Sequence, residues 1–234
     1  MFRETIEGLD QIFETDIKTR KTLLVLGGGG TLKTSFVYNL LSLHLAKTGE
    51  VALYITLEES EESILENIRS INAPISNNIH IVDYNILRSQ FKDKEKDLEF
   101  AYVLETLMNS FKKEYPDKFR YLALDSLGAL YSLIKISDAR SDIYHFFNTL
   151  KDLSLTGFII AEETVAEQGK FGYEDFLTDG VITLGLVEIE GQVKRYMQVK
   201  KMRTVKHQMD KFEMAIGDNG LTIVGPLFSE AGSS

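Results

Sequence analysis

Residues 27–34 read Gly-Gly-Gly-Gly-Thr-Leu-Lys-Thr, a run whose residue types suit the capture of phosphate groups. Glycines let successive backbone N–H groups curl around oxyanions, a lysine neutralises β and γ oxygens, and a hydroxyl next to it can ligate Mg²⁺. A helix beginning at the lysine points the positive end of its dipole at the same anion. The run follows the pattern G-x-x-x-x-G-K-[ST] at every position except Leu32, which stands where the glycine before the lysine belongs. If the backbone there needs a positive φ, leucine is strained by about 1–3 kcal/mol, which corresponds to roughly one to two decades in affinity. The expected nucleotide-binding residues are therefore Gly27, Gly28, Gly29, Gly30, Thr31, Leu32, Lys33, Thr34 and Ser35. The ligands they imply are ATP or ADP with Mg²⁺. The alternatives are a glycine-rich turn that binds nothing and a vestigial loop that has lost its nucleotide.

Three further acidic features fall at the ends of apolar runs, where chemistry collects in an open α/β sheet. Asp125 ends Arg-Tyr-Leu-Ala-Leu-Asp and suits a hold on Mg²⁺ together with Thr34. Glu58 and Glu59 end Leu-Tyr-Ile-Thr-Leu-Glu-Glu, close to where an attacking water needs a base. Glu162 and Glu163 end Phe-Ile-Ile-Ala-Glu-Glu. For each, the plainer reading is a solvated carboxylate at a strand end, and Glu58 and Glu59 equally suit the start of a helix near Ser60.

The elements that must position these groups are visible in the periodicity. Strand-sized apolar runs lie at 23–26, 51–57, 79–82, 121–124 and 158–161, with helical patterns between them at 33–46, 60–71, 97–113 and 138–153. Continuous apolar strands alternating with helices predict a mostly parallel sheet covered on both faces. After Gly180 come short alternating runs at 181–187, 193–199, 212–216 and 221–224, separated by Glu-Gly-Gln and Gly-Asp-Asn-Gly, which predict antiparallel hairpins. The expected fold class is α/β, a RecA-like P-loop domain with a C-terminal antiparallel extension, formed by residues 1–234 as a single domain with the last few residues unstructured.

The 234 residues carry a net charge of −9, which opposes non-specific contact with nucleic acid, although a basic stretch runs from Lys194 to Lys206. With no cysteine, a disulfide framework and a thiolate metal site are excluded. No signal-like N-terminus and no membrane-length apolar run is present, so a cytoplasmic protein is expected.

The series Gly-Leu-Asp (8–10), the loop at 27–34, Leu-Glu-Glu-Ser (57–60), Leu-Asp-Ser-Leu (124–127), Phe-Leu-Thr-Asp-Gly (176–180) and Lys-Met-Arg (201–203) with His207 resembles the KaiC-like branch of the RecA superfamily of ATPases. The resemblance runs from the N-terminus to about Pro226. It implies an ATPase that assembles as a homo-oligomer, commonly a hexamer, with ATP between neighbouring subunits. It also implies that Glu58 and Glu59 activate water and that Lys201, Arg203 and His207 reach into the adjacent subunit's nucleotide. Nothing near the loop in this sequence suggests a second cation besides Lys33, which favours such a donor in trans. Apart from the resemblance, a basic run on a β-ribbon is a solvated face. The chain departs from the family at Leu32, at Phe13-Glu14-Thr15-Asp16-Ile17 in place of a Gly-Gly-Ile-Pro-like turn, and at Thr204-Val205-Lys206 in place of Gly-Thr-Ser. With no phosphorylation-site pattern, a circadian-clock role is not inferred.

The leading expectation is a slow Mg²⁺-dependent ATPase acting as an oligomeric switch toward an unidentified protein partner. The second is a degenerate nucleotide-sensing or nucleotide-free interaction module, which Leu32 favours and the survival of Lys33, Thr34, Asp125, Glu58 and Glu59 opposes. The third is a recombinase-like DNA-dependent ATPase, against which the acidic balance counts.

Overall fold

Alternate residues of the central strands face two different cores, which is why each strand reads as continuously apolar. In the computed structural model, Leu23, Val25, Ala52, Tyr54, Tyr121, Ala123, Phe158 and Ile160 join one buried cluster, while Leu24, Leu26, Leu53, Ile55, Leu122, Leu124, Ile159 and Ala161 join another. The structure describes residues 1–84, 86, 100–133, 139–162 and 177–227. Glu163, Phe176, the predicted helix starts at Asp97 and Asp138, and the chain end from 228 lie outside them.

The strands are β1 Thr22–Gly27, β2 Val51–Thr56, β3 Ile79–Asp83, β4 Phe119–Asp125, β5 Thr156–Ala161, β6 Gly180–Ile189, β7 Gln192–Met202, β8 Phe212–Gly217 and β9 Gly220–Pro226. They form one sheet in the order β3-β2-β4-β5-β1-β6-β7-β8-β9. Pairing is parallel from β3 through β6 and antiparallel from there to β9. The expected α/β architecture, a parallel sheet with an antiparallel C-terminal extension, is the one observed. The β6–β7 turn places both Glu190 and Gly191 at positive φ, as a two-residue hairpin turn of the right twist requires.

The helices are α1 Lys33–Thr48, α2 Glu61–Ser70, α3 Phe100–Glu114, α4 Leu127–Leu133 and α5 Ala139–Asp152. Helix α1 packs on the face that carries Tyr54 and Tyr121, and Met108 of α3, Leu130 of α4 and Ile143 of α5 bury into the opposite cluster. Ser60 caps α2 by accepting from the Ser63 N–H at 3.2 Å, an interaction worth about 1 kcal/mol. Helix α1 ends at Gly49, whose φ of 68° returns its N–H to the Leu45 carbonyl. Apolar periodicity in the sequence does not predict α4. Its apolar residues follow Asp125-Ser126 directly, and the run is too short for a 3.6-residue period to register.

Two 3₁₀ turns, Phe2–Glu4 and Leu9–Gln11, lie ahead of β1. Phe2, Ile6, Leu9, Ile12 and Phe13 are all buried in the α1-face cluster. Among the described residues no helix is long and apolar enough to cross a membrane.

Candidate functional site

The loop from β1 to α1 turns at the carboxyl end of the central strand. A Cβ at Gly27 would lie 2.3 Å from the Leu184 carbonyl oxygen, so β6 forces glycine at that position. Gly28, Gly29 and Gly30 are different. Cβ atoms there would meet nothing within 4 Å, so the packing of the chain does not demand three bare residues. Gly29 and Gly30 border instead a cavity of about 320 Å³ lined also by Lys33, Thr34, Glu58, Glu59, Asp125, Ser126 and Glu162. Lys33 Nζ donates to the Gly28 carbonyl at 2.9 Å, and Thr31 Oγ1 donates to the same oxygen at 2.8 Å, which draws the loop into a closed curve.

Leu32 has φ 67° and ψ 33°, the left-handed conformation that glycine adopts freely. The side chain packs against the α1-face core as well as bordering the cavity. The condition set for strain at this position, a positive φ, is therefore met. Leucine here holds the conformation that glycine would take, so the strain belongs to the fold of the loop itself. Thr204 repeats the device, with φ 65° where the family has glycine after the arginine.

Asp125 ends β4 and, by alternation from Tyr121 and Ala123, faces α1. There its Oδ2 accepts from Thr34 Oγ1 at 2.6 Å and from Tyr54 Oη at 2.8 Å. Burial pushes its carboxyl above the ordinary aspartate value, and the two hydroxyls pull the other way. Burial also raises the Tyr54 hydroxyl well above its usual value, and the Asp125 charge adds to that effect, so the phenol is a firm donor. Among the described residues no cluster of three or more His, Cys, Asp or Glu forms a metal cage. One carboxylate and one hydroxyl beside a phosphate loop suit Mg²⁺ instead, an ion that takes oxygen ligands and completes its shell with phosphates and water. The residues present fit that ion.

The two glutamates after β2 have separate fates. Glu59 folds back on α2, its Oε2 accepting from Ser63 Oγ at 2.7 Å and Asn67 Nδ2 at 3.0 Å. The helix-start alternative thus holds for Glu59. Glu58 is exposed, and its Oε1 accepts from Ser126 Oγ at 2.5 Å, which brings it to the end of β4. Glu162 borders the cavity and is exposed.

Lys201, Arg203 and His207 line no part of this cavity. Met202 pairs with Gly180, and Leu23 pairs with Gly180 on the other side, so these residues sit at the amino end of β1. Five residues of strand separate that end from the loop, roughly 17 Å. Asp179 organises the region, accepting from Lys21 Nζ at 3.2 Å and the Thr22 N–H at 3.1 Å while its carbonyl accepts from the Arg203 N–H at 2.8 Å. Lys201 Nζ donates to the Thr178 carbonyl at 2.7 Å, and the Arg203 side chain is exposed. His207 bridges to Phe13, and the Glu14 N–H donates to the Lys206 carbonyl at 2.9 Å, so the atypical segment at 13–17 braces the atypical one at 204–206.

Sequence reasoning missed two residues. Tyr54 looked like one more core aromatic in an apolar strand. Arg195, on β7, places Nε 3.2 Å from the Gly30 carbonyl, so Lys33 is not the only cation at the loop. Only the β6–β7 register, which pairs Arg195 with Leu186 at the cavity end of the sheet, reveals that placement.

A parallel sheet carrying this loop before α1 and an acid at the end of β4 defines a RecA-type P-loop nucleotide-binding protein. The sequence model described as "ATPase: KaiC" matches residues 2–227, and the chain belongs to that ATP-binding family. A UPF0273 protein of Thermotoga maritima is 30% identical over 233 residues, covering 93% of both chains. The circadian clock oscillator protein KaiC of Prochlorococcus marinus is 25% identical over 226 residues, covering 93% of this chain, which spans only 44% of that protein's length. The crystal structure of a KaiC-like protein from Pyrococcus horikoshii OT3 superposes with a TM-score of 0.74 at 25% identity, covering 94% of this chain and 96% of that one.

Proposed function

We propose that the chain binds Mg²⁺-ATP in the cavity at the carboxyl end of β1 and hydrolyses it slowly, in an oligomer whose neighbouring subunit completes the site. The observation that carries the reading is the bare stretch of Gly29 and Gly30, open to a cavity that Lys33 and the Thr34–Asp125 pair also border. Backbone N–H groups of the loop and the Lys33 ammonium bind the phosphate chain, and Arg195 adds positive charge at the loop's tip. Thr34 and Asp125 would hold Mg²⁺, which when bound neutralises charge on the β and γ oxygens.

Glu58 is the group placed to accept a proton from water as its oxygen attacks the γ-phosphorus and the bond to the bridging oxygen breaks. Ser126 orients that carboxylate from the end of β4. Lys201 and Arg203, a strand length from their own cavity, serve a neighbour's γ-phosphoryl group in trans, and His207 belongs to the same braced segment. The reading in which nucleotide is sensed without turnover draws on Glu59, whose carboxylate is committed to α2.

The test is complementation. Lys33→Ala removes the phosphate partner, and Arg203→Ala removes the trans cation, so neither variant alone should hydrolyse ATP. A mixture should recover activity, because some interfaces join an intact loop to an intact Arg203. A mixture as inactive as its components, with wild-type specific activity constant across dilution, contradicts the trans site.

A further inference from the structure

We infer that Tyr54 is a positioning residue for the metal end of this site, its hydroxyl fixing the plane of the Asp125 carboxylate before the cation arrives. The inference rests on the reading of the cavity as a Mg²⁺-ATP site. Both hydroxyls that reach Asp125 fall on the same oxygen, Oδ2, at 2.6 Å from Thr34 and 2.8 Å from Tyr54. They are not equivalent. Thr34 belongs to the loop, at the start of α1, and its oxygen is itself a proposed ligand, so its position changes with the occupant. Tyr54 is fully buried on β2, with its ring in the α1-face core and 6.2 Å from that of Tyr38, so no ligand reaches it.

The strand register explains the placement. Tyr54 pairs with Ala123 and Thr56 with Asp125, so the Tyr54 side chain, two residues back on the same face, leans along the strand toward the carboxylate. A phenylalanine would fill the ring's volume equally well. A buried hydroxyl is costly unless paired, and here it pairs with the Asp125 carboxylate at the end of β4. The aspartate's terminal torsion has broad wells, so a carboxylate held by Thr34 alone can turn about it. A second donor on Oδ2 stops that rotation and leaves Oδ1, which receives neither hydroxyl, for the cation and its water. Tyr54 thus touches neither nucleotide nor metal and acts through Asp125.

The test uses the full chain and two variants that lack the hydroxyl in different shapes, Tyr54→Phe and Tyr54→Leu. ATP binding is titrated by calorimetry in EDTA and across a Mg²⁺ series, with the metal-free melting curve recorded for each. Both variants should raise the Mg²⁺ concentration at half-effect by on the order of tenfold, the loss expected for one hydrogen bond to a charged group. ATP affinity in EDTA should match wild type, and Tyr54→Phe should add no shift in an Asp125→Asn background. A wild-type Mg²⁺ midpoint in Tyr54→Phe overturns the role. Equal loss of ATP affinity with and without Mg²⁺ also overturns it, since that marks a merely structural tyrosine. In either case wild-type binding of Mg²⁺-ATP leaves the nucleotide reading standing, whereas a wild type that binds no ATP at any Mg²⁺ concentration removes both.

Discussion

The two ends of the central strand use similar polar residues to opposite purposes. At the amino end, Asp179 ties Lys21, Thr22 and the Arg203 backbone together, and Lys201 is bound to Thr178. Those contacts brace the strand end, with Lys201 half-buried and the Arg203 side chain exposed. At the carboxyl end, Lys33 donates to its own loop's Gly28 carbonyl, Gly29 and Gly30 border the cavity, and Asp125 sits above its ordinary pKa among hydroxyls. One end is a braced platform, and the other is the proposed nucleotide site.

The largest expected effect separates the two glutamates beside that site. Glu58→Gln should lower ATP turnover by at least about 100-fold, because an amide cannot take the water's proton, with ATP affinity retained. Glu59→Gln should act mainly through α2, keeping most of the turnover and lowering the melting temperature as its bonds from Ser63 and Asn67 weaken. Steady-state hydrolysis paired with melting curves reads both. Equal losses of turnover would merge the roles that the geometry divides.

A smaller effect tests the strained residue at each end. Leu32 and Thr204 both hold a positive φ, but Leu32 also packs into the core while Thr204 is exposed. Thr204→Gly should therefore stabilise the chain by roughly 1 kcal/mol, strain relief less the added freedom of the unfolded chain. Leu32→Gly should leave stability nearly unchanged, since lost burial of about the same size offsets the relief. Its ATP affinity should stay within a few-fold of wild type. A tightening of tenfold or more would show that leucine does obstruct the phosphates.

Much of this was legible in the sequence. Five of the six parallel strands and the hairpin extension follow from apolar periodicity and from turns such as Glu190-Gly191, which local chemistry dictates. The phosphate loop is legible because its residues are contiguous, and Asp125 because it closes an apolar strand. What the sequence hides depends on register. Arg195 reads as a solvated ribbon residue until β7 is paired with β6, and Tyr54 as core until β2 is laid beside β4. The division between Glu58 and Glu59 is hidden too, because adjacent residues differ only in where the chain bends after Thr56. Leu32 is a mismatch in the sequence pattern, and only the structure shows that its backbone keeps the conformation of glycine.

The most direct measurement is calorimetric titration of ATP with Mg²⁺ into the wild-type chain and into Lys33→Ala. The account predicts saturable binding by the wild type and an affinity lower by well over tenfold in the variant, the loss of a charge-assisted partner on the phosphates, with an unchanged melting temperature without nucleotide. Equal affinities in the two chains, or no binding by the wild type, would contradict it.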